Sequence, residues 1–188
     1  MISTSDFKNG VAFYYNNEPY IITWFQHHKP GKGVTKMLVK IKNLKNGKNI
    51  ETAFNTGEKF EPISLERKSM QYLYEDGNFA YFMDPTTYEQ IEITLESLGE
   101  DIKFLKAEQK VTILSIDDVP SNVEVPKKVT LQVTECVESV DRGNTTGNVL
   151  KEATLETGLI VRVPGFIKQG EFININTETK EYVERASS

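Results

Sequence analysis

The residues best suited to binding chemistry lie in one short, glycine-containing loop that is rich in basic side chains. Pro30 and Gly31 favour a tight turn, because proline fixes φ and glycine accepts positive φ. Gly33 follows, so Lys32 stands between two glycines and has little to pack against. A long amine in such a position can extend from the protein body towards an anion. The alternative is an ordinary solvated hairpin turn.

The sequence that follows this loop carries only positive charge. Between residues 29 and 48 there are seven lysines and no acidic residue. In the strand predicted from Lys36 to Asn43, alternation places Lys36, Lys40 and Lys42 on an outward face and the apolar residues between them on the other face. A solvated face usually mixes signs, so this stripe, which continues from Lys29, indicates a polyanionic partner.

The distribution of charge along the chain supports the same interpretation. The formal net charge is −5 for 188 residues, yet residues 1–63 carry +4 and residues 64–188 carry −9. A basic first third on an acidic protein favours the entry of one end into a phosphate-rich site. The one cysteine, Cys136, excludes an internal disulfide framework and fits a reducing compartment. We therefore expect a cytoplasmic protein, and no apolar run approaches the roughly 18 residues of a membrane-spanning helix.

Sequence patterns of enzymes and metal sites are missing. The chain has no glycine-rich phosphate loop, no cysteine–histidine metal spacing and no Gly-x-Ser-x-Gly elbow. His27 and His28 are adjacent, so their side chains diverge on a strand, which disfavours a metal site. The carboxylates are scattered, with no spacing that marks an acid–base pair. We expect no catalytic residue, no metal and no cofactor.

Short alternating segments separated by tight turns predict an all-β chain of three small units. Residues 1–64 contain four or five short strands, which is typical of a small SH3-like barrel. Residues 65–127 contain about five strands and one short helix near 98–106, which is the plan of an OB-fold. Residues 128–188 form a third all-β unit. The core of the first barrel is predicted to contain Phe13, Tyr15, Trp24 and Phe25.

Two features of the later units leave alternatives open. Five aromatic residues of the second unit could stack nucleobases, although alternation turns about half of them inward and favours core packing: Tyr72, Tyr74, Phe79, Tyr81 and Phe82. The long polar loop at residues 141–148 is either an ordinary connection or an adaptable contact surface. Exposed aromatics would indicate a free single-stranded RNA-binding protein of the RNA-chaperone type, and a carboxylate cluster would indicate a nucleic-acid hydrolase.

Three groups of residues resemble the bacterial translation elongation factor P family, relatives of the hypusine-bearing factor of archaea and eukaryotes. The first is Lys29-Pro30-Gly31-Lys32-Gly33 followed by Lys40-Ile41-Lys42-Asn43-Leu44. The second is Asp76-Gly77 with Phe82-Met83-Asp84 and Thr87-Tyr88-Glu89-Gln90. The third and most specific is Lys151-x-Ala153 followed by Gly158-x-x-Val161-x-Val163-Pro164-x-x-Ile167-x-x-Gly170. The resemblance extends over essentially the whole chain.

This resemblance implies three β-barrels in an L shape, an SH3-like (KOW-like) barrel followed by two OB-fold barrels. It implies a monomeric, non-catalytic elongation factor that binds the 70S ribosome between the peptidyl and exit sites. There it contacts peptidyl-tRNA and stimulates peptide-bond formation at consecutive prolines. The factor holds the tRNA end in a reactive position, and the ribosome supplies the chemistry.

The resemblance also assigns roles to residues. Lys32 reaches the CCA end of peptidyl-tRNA, and because many family members are modified at this lysine, it is a candidate for a lysine-modifying enzyme. The residues expected to contact tRNA or rRNA are Lys29, Pro30, Gly31, Lys32, Gly33, Lys36, Lys40 and Lys42. The loop expected to face the exit-site side, near the messenger, comprises Gly143, Asn144, Thr145, Thr146, Gly147 and Asn148. The chain departs from the family at Val34-Thr35-Lys36, where small residues and then an aromatic are usual.

Overall fold

The computed structural model describes residues 1–29, 33, 35–136 and 150–186. These residues form mainly β-strands, and their longest helical segment has six residues. The predicted all-β fold class is therefore confirmed. The chain divides into two compact units, one made of Met1–Ile102 with Ala107–Glu124 and the other of Lys103–Lys106 with Val125–Ser188.

The described part of residues 1–64 forms a six-stranded antiparallel sheet with an aromatic core. Its strands are β1 (Ile2–Ser3), β2 (Ala12–Tyr15), β3 (Glu18–His28), β4 (Lys36–Asn43), β5 (Asn49–Asn55) and β6 (Lys59–Ile63), with a 310 helix at Thr4–Asp6. The strand order is β1-β6-β2-β3-β4-β5. The rings of Phe7, Phe13, Phe54 and Phe60 lie 4.7–6.0 Å apart, centre to centre, and are buried. Such edge and offset contacts between aromatic rings add to their burial energy.

Trp24 does not belong to this core, so the prediction that placed it there was wrong. Its side chain is 39% exposed. The pairing of β3 with β4 shifts by one residue between Ile22 and Trp24, which is a β-bulge at Thr23. Because a one-residue shift reverses the facing of every following side chain, Trp24 points outward and Phe25 packs against the core instead.

Residues 65–124 form the second sheet of the described chain, which has five strands and curls towards closure. Its strands are β7 (Leu65–Glu75), β8 (Phe79–Met83), β9 (Gln90–Thr94), β10 (Lys110–Ile116) and β11 (Val119–Glu124), in the order β11-β10-β7-β8-β9. The edge strands β9 and β11 approach each other, and helix α1 (Leu95–Leu98) contacts both. A 310 helix (Gly99–Phe104) continues α1. The short helix predicted near 98–106 is therefore present, but it begins earlier and is mostly 310.

The first two sheets belong to one compact unit and share an apolar junction. Ala12 and Ile21 of the first sheet, and Leu44 directly after β4, pack with Leu114 of the second sheet. The turn between β4 and β5 lies directly against the end of α1. Gly47 there has φ of 66°, and a Cβ atom added to it would lie 2.8 Å from the carbonyl oxygen of Ser97. Only glycine permits both that backbone conformation and that close approach.

The third sheet belongs to the second compact unit. Its strands in the described residues are β12 (Lys128–Cys136), β13 (Leu150–Leu155), β14 (Ile160–Pro164), β15 (Phe172–Asn176) and β16 (Glu181–Arg185), in the order β14-β13-β12-β15-β16. Phe104 joins its core, together with Leu131, Val163 and Ile173. Cys136 is half-buried beside Ile167, as expected for a structural cysteine. Strand β13 was not predicted, because only Ala153 and Leu155 of its residues are buried.

Candidate nucleic-acid interface

The β3–β4 hairpin carries the predicted basic loop at its end. The two strands pair from Tyr20 opposite Asn43 to His28 opposite Lys36, so residues 29–35 connect their ends. Met37, Val39 and Ile41 of β4 are buried in the aromatic core and anchor the hairpin to the barrel. We call the part of this hairpin beyond Ile22 and Ile41 the arm.

Part of the loop lies within the described residues. Lys29 and Gly33 are exposed, and Gly33 has φ of 130°, a conformation that favours glycine. At the base of the loop, the hydroxyl of Thr56 donates to the carbonyl oxygen of Thr35 at 2.8 Å, which ties the loop to the end of β5. The predicted binding residues Pro30, Gly31 and Lys32, and also Val34, lie outside the described residues.

Two lysines at the end of the arm carry positive charge that no acidic side chain of the described residues neutralises. Within the described part of the chain, Lys29 and Lys36 are exposed and have no ion-pair partner. Lys40 is also exposed, but its ammonium lies 2.8 Å from a carboxylate oxygen of Glu51 and 5.8 Å from the centre of the Trp24 ring. An exposed pair of this kind contributes about 0–1 kcal/mol and exchanges readily for a phosphate contact.

Lys42 does not belong to the exposed stripe, so the prediction that it contributes to that stripe was wrong. Alternation places it on the outer face of β4 correctly, but the second sheet covers that part of the face. Its residue exposure is 7%, and its ammonium pairs with Asp101 and donates to the amide oxygen of Asn122 at 2.8 Å. Asn122 in turn donates to the carbonyl oxygen of Ser97 at 2.6 Å. Lys42 therefore joins two sheets and is not available to a nucleic acid.

Comparison with known proteins matches the chain along its length. Residues 3–60 match the elongation factor P KOW-like domain, residues 65–123 the elongation factor P OB domain, and residues 129–185 the elongation factor P C-terminal domain. Elongation factor P of Alkaliphilus oremlandii is 48% identical over 185 residues, covering 98% of this chain and 100% of that protein. This chain belongs to the elongation factor P family.

Other relatives lie at similar distances. Elongation factor P of Clostridioides difficile is 43% identical over 185 residues, again covering 98% of this chain and 100% of the relative. Among solved structures, a eukaryotic translation initiation factor 5A from Methanococcus jannaschii is similar with a TM-score of 0.44 and 23% identity. That match covers 66% of this chain and 90% of the other. The resemblance to elongation factor P inferred from the sequence is confirmed.

The elongation factor P motif of the third domain maps onto the fold and not onto a binding surface. Ala153, Val161, Val163 and Ile167 are buried in the core of the third sheet. Its glycines have positive φ, 78° at Gly158 and 88° at Gly170, and close turns between strands. The loop Gly143–Asn148 follows β12 and precedes β13, and it lies outside the described residues.

The elongation factor P motif of the second domain is also structural. One carboxylate oxygen of Asp84 accepts hydrogen bonds from the backbone N–H groups of Thr86 and Thr87, and the other lies 2.8 Å from the ammonium of Lys68. The contact with Lys68 and then those N–H groups lower the pKa of Asp84 to about 2. Asp84 therefore stabilises the turn between β8 and β9.

The five aromatic residues considered for base stacking divide between core and surface. Tyr72 and Phe82 are buried, as the alternation argument predicts. Tyr74 is 54% exposed and stacks on Tyr81 with ring centres 4.8 Å apart. The Tyr81 hydroxyl donates to Asp76 at 2.8 Å, and this hydrogen bond is the main cause that raises the pKa of Tyr81 to about 12. The neighbouring carboxylates make this pair a poor site for RNA.

No group of three or more histidine, cysteine, aspartate and glutamate side chains in the described part of the chain could hold a metal ion. No helix within the described ranges is long and apolar enough to cross a membrane.

Proposed function

We propose that this elongation factor binds the bacterial ribosome between the peptidyl and exit sites and stimulates peptide-bond formation at consecutive prolines. Membership of the elongation factor P family along the whole chain supports a role in translation elongation. The observation that carries the finer proposal is the arm. It is a hairpin anchored in a barrel core, and it carries Lys29 and Lys36 at its far end without an ion-pair partner among the described residues.

The arm is suited to placing a cation beside RNA. Lys29 directly follows β3 and Lys36 begins β4, so phosphates that approach the loop meet positive charge at both of its ends. We propose that Lys32 extends from the tip to the CCA end of peptidyl-tRNA. Proline is a poor nucleophile in a restricted geometry, and a tRNA end held in a reactive pose lowers the entropic part of the barrier. No side chain of the factor needs to take part in bond chemistry.

Further parts of the proposal rest on the family resemblance. We propose that a lysine-modifying enzyme acts on Lys32 and that the loop Gly143–Asn148 contacts the small subunit near the messenger. We also propose domains at 1–64, 65–127 and 128–188, a division supported by the three matched families. The factor would act as a monomer in the cytoplasm, where ribosomes translate.

The rival function, a free single-stranded RNA-binding protein, depends on exposed aromatics of the OB-fold. The Tyr74–Tyr81 pair is the strongest candidate there. Glu75 and Asp76 follow Tyr74 in sequence, and Glu92 lies opposite Tyr81 in the sheet. This negative charge opposes phosphate binding, so we favour the ribosomal function.

The test is substitution of Lys32. We expect Lys32→Ala to leave the melting temperature and ribosome binding nearly unchanged, because a surface substitution is usually worth within about 0.5 kcal/mol. It should remove most of the rate gain on messages that encode three consecutive prolines and little on messages without them. Reconstituted translation of the two messages measures this. Full activity of Lys32→Ala on the proline message would refute the proposed function.

Two further variants sharpen the result. Lys29→Ala should cost less, because Lys29 lies at the base of the loop. Lys32→Arg keeps the charge but replaces a compact ammonium with a planar guanidinium group. The arginine also cannot take a lysine-directed modification. Activity of Lys32→Arg equal to wild type would show that charge alone suffices, and failure equal to Lys32→Ala would show that the amine or its modified form is required.

A further inference from the structure

Trp24 is the one tryptophan of the chain, and nothing in the barrel core explains its presence. Its side chain is 39% exposed. Without the bulge at Thr23, alternation would place Trp24 on the same buried face as Ile22. The bulge is well formed, since the Thr23 hydroxyl donates to the carbonyl oxygen of Lys40 at 3.1 Å. Bulges commonly re-aim a side chain next to a functional site.

The bulge aligns Trp24 with the exposed cations of the arm. Three cross-strand pairs follow one another on the outer face, Trp24 with Lys40, Gln26 with Leu38, and His28 with Lys36. Without the bulge, Trp24 would lie on the opposite face from these lysines. At about 3.3 Å per residue, Trp24 stands about 13 Å behind His28 at the end of the arm.

Lys40 flanks the Trp24 ring on the β4 side, and on the other side the strand pairing of β3 ends before Trp24. On the β4 side, Lys40 lies against the ring, held by Glu51 on the next strand. On the other side, β2 pairs with β3 only as far as Ile21, and Ile22 makes the last backbone bonds to that neighbour. Beyond Ile22, no strand of the described chain pairs with that edge of β3.

We propose that Trp24 stacks on an unpaired nucleobase of the single-stranded 3′ end of tRNA, with Lys40 and Lys36 beside the phosphates of the same strand. An aromatic face beside lysines is the arrangement that binds single-stranded nucleic acid. Every base presents a π-face, so such a contact needs no particular base. The inference rests on the proposed function, because the loop on the same arm is directed at the same tRNA end.

The test measures the affinity of the full-length factor for ribosomes that carry a peptidyl-site tRNA. We expect Trp24→Leu to weaken binding about tenfold, because leucine keeps apolar bulk but has no aromatic face. Trp24→Phe should keep affinity within about threefold, because a smaller aromatic face still stacks. The matched control is Tyr74→Leu, which removes an exposed aromatic of the second sheet whose neighbours include carboxylates, and it should change affinity less than twofold. Melting temperatures of all variants check the fold.

A second arm of the experiment identifies the RNA. Ribosomes are prepared with intact tRNA or with tRNA whose unpaired 3′ nucleotides have been removed. We expect the tenfold difference between Trp24→Leu and wild type to vanish with the trimmed tRNA. An equal loss with trimmed tRNA would point to ribosomal RNA and overturn the inference. Affinity of Trp24→Leu equal to wild type on intact tRNA would also overturn it, as would equal loss in Trp24→Phe and Trp24→Leu.

Stimulation of polyproline synthesis by the wild-type factor is measured in parallel. Its absence would refute the proposed function. Normal stimulation together with an unchanged affinity of Trp24→Leu would refute the inference about Trp24 alone.

Discussion

The two halves of the outer face of β4 carry the same residue type in opposite environments. In the distal half, which is the end of β4 nearer the loop, Lys40 is exposed and its partner Glu51 is exposed as well. In the proximal half, Lys42 is buried between two sheets and paired with Asp101 and Asn122. The two lysines are two residues apart on one strand and on one face.

This difference separates an exposed surface from the buried contact that supports it. Lys40 can leave Glu51 for a phosphate at little cost, because water already surrounds both charges. Lys42 cannot leave Asp101, because its ammonium would remain in a buried site without a partner. The same contact connects the base of the arm to the 310 helix and to β11. Lys42 therefore holds the arm in place, whereas Lys40 and Lys36 remain accessible on the same face.

The largest expected effect comes from breaking the buried pair. Lys42→Met should lower the free energy of unfolding of the first compact unit by about 3 kcal/mol, because Asp101 loses its partner while largely covered. The control Lys40→Met should cost less than about 1 kcal/mol. Urea denaturation followed by the fluorescence of Trp24, which lies in that unit, measures both.

A double variant decides whether the effect is electrostatic. Lys42→Met with Asp101→Leu should recover part of the loss, because no buried charge then stands alone. Equal small effects of Lys42→Met and Lys40→Met would contradict the contrast between the two halves.

A smaller effect is expected from an ion pair of intermediate exposure, Lys68 with Asp84. The pKa of Asp84 is lowered to about 2, against about 3.9 in an unfolded chain. A depressed carboxyl pKa stabilises the fold above the unfolded value, and this stabilisation is lost as the pH falls from about 4 to about 2. Asp84→Asn should therefore flatten the decline of stability over that interval.

The measurement is thermal melting at several pH values between 2 and 5. Glu96→Gln, which changes an exposed carboxylate of α1, is the matched control and should keep the wild-type profile. A wild-type decline in Asp84→Asn would show that the turn contributes nothing to acid sensitivity.

The smallest effect concerns salt and distinguishes the lysines within the distal half. Each phosphate contact adds about 0.7–0.9 to the slope of log affinity against log salt. Lys36→Gln should reduce the slope for ribosome binding by about that amount, because Lys36 has no carboxylate partner among the described residues. Lys40→Gln should reduce it less, since Glu51 already neutralises part of its charge. A larger change for Lys40→Gln than for Lys36→Gln would reverse this ranking.

Much of the fold was predictable because strands obey a local rule. Alternation over Lys36–Asn43 and the apolar run Phe79–Met83 predicted β4 and β8 with the bounds that the structure has. The run of seven lysines without an acidic residue between positions 29 and 48 by itself indicates a polyanionic partner. The bounds of a strand and the charge of a loop can be inferred from neighbouring residues alone. The family motifs contain the same features, namely glycines at turns and apolar residues that alternate along strands.

Tertiary structure alone decided which outward residues remain outward. Alternation assigns Lys40 and Lys42 to one face, but the partners that cover Lys42 lie 59 and 80 residues further along the chain. Trp24 reversed its facing because one extra residue entered β3, and such a bulge depends on how β3 and β4 align. Alternation within one strand predicts only which side chains share a face. Whether that face is exposed depends on the register with the partner strand and on whether another sheet covers it.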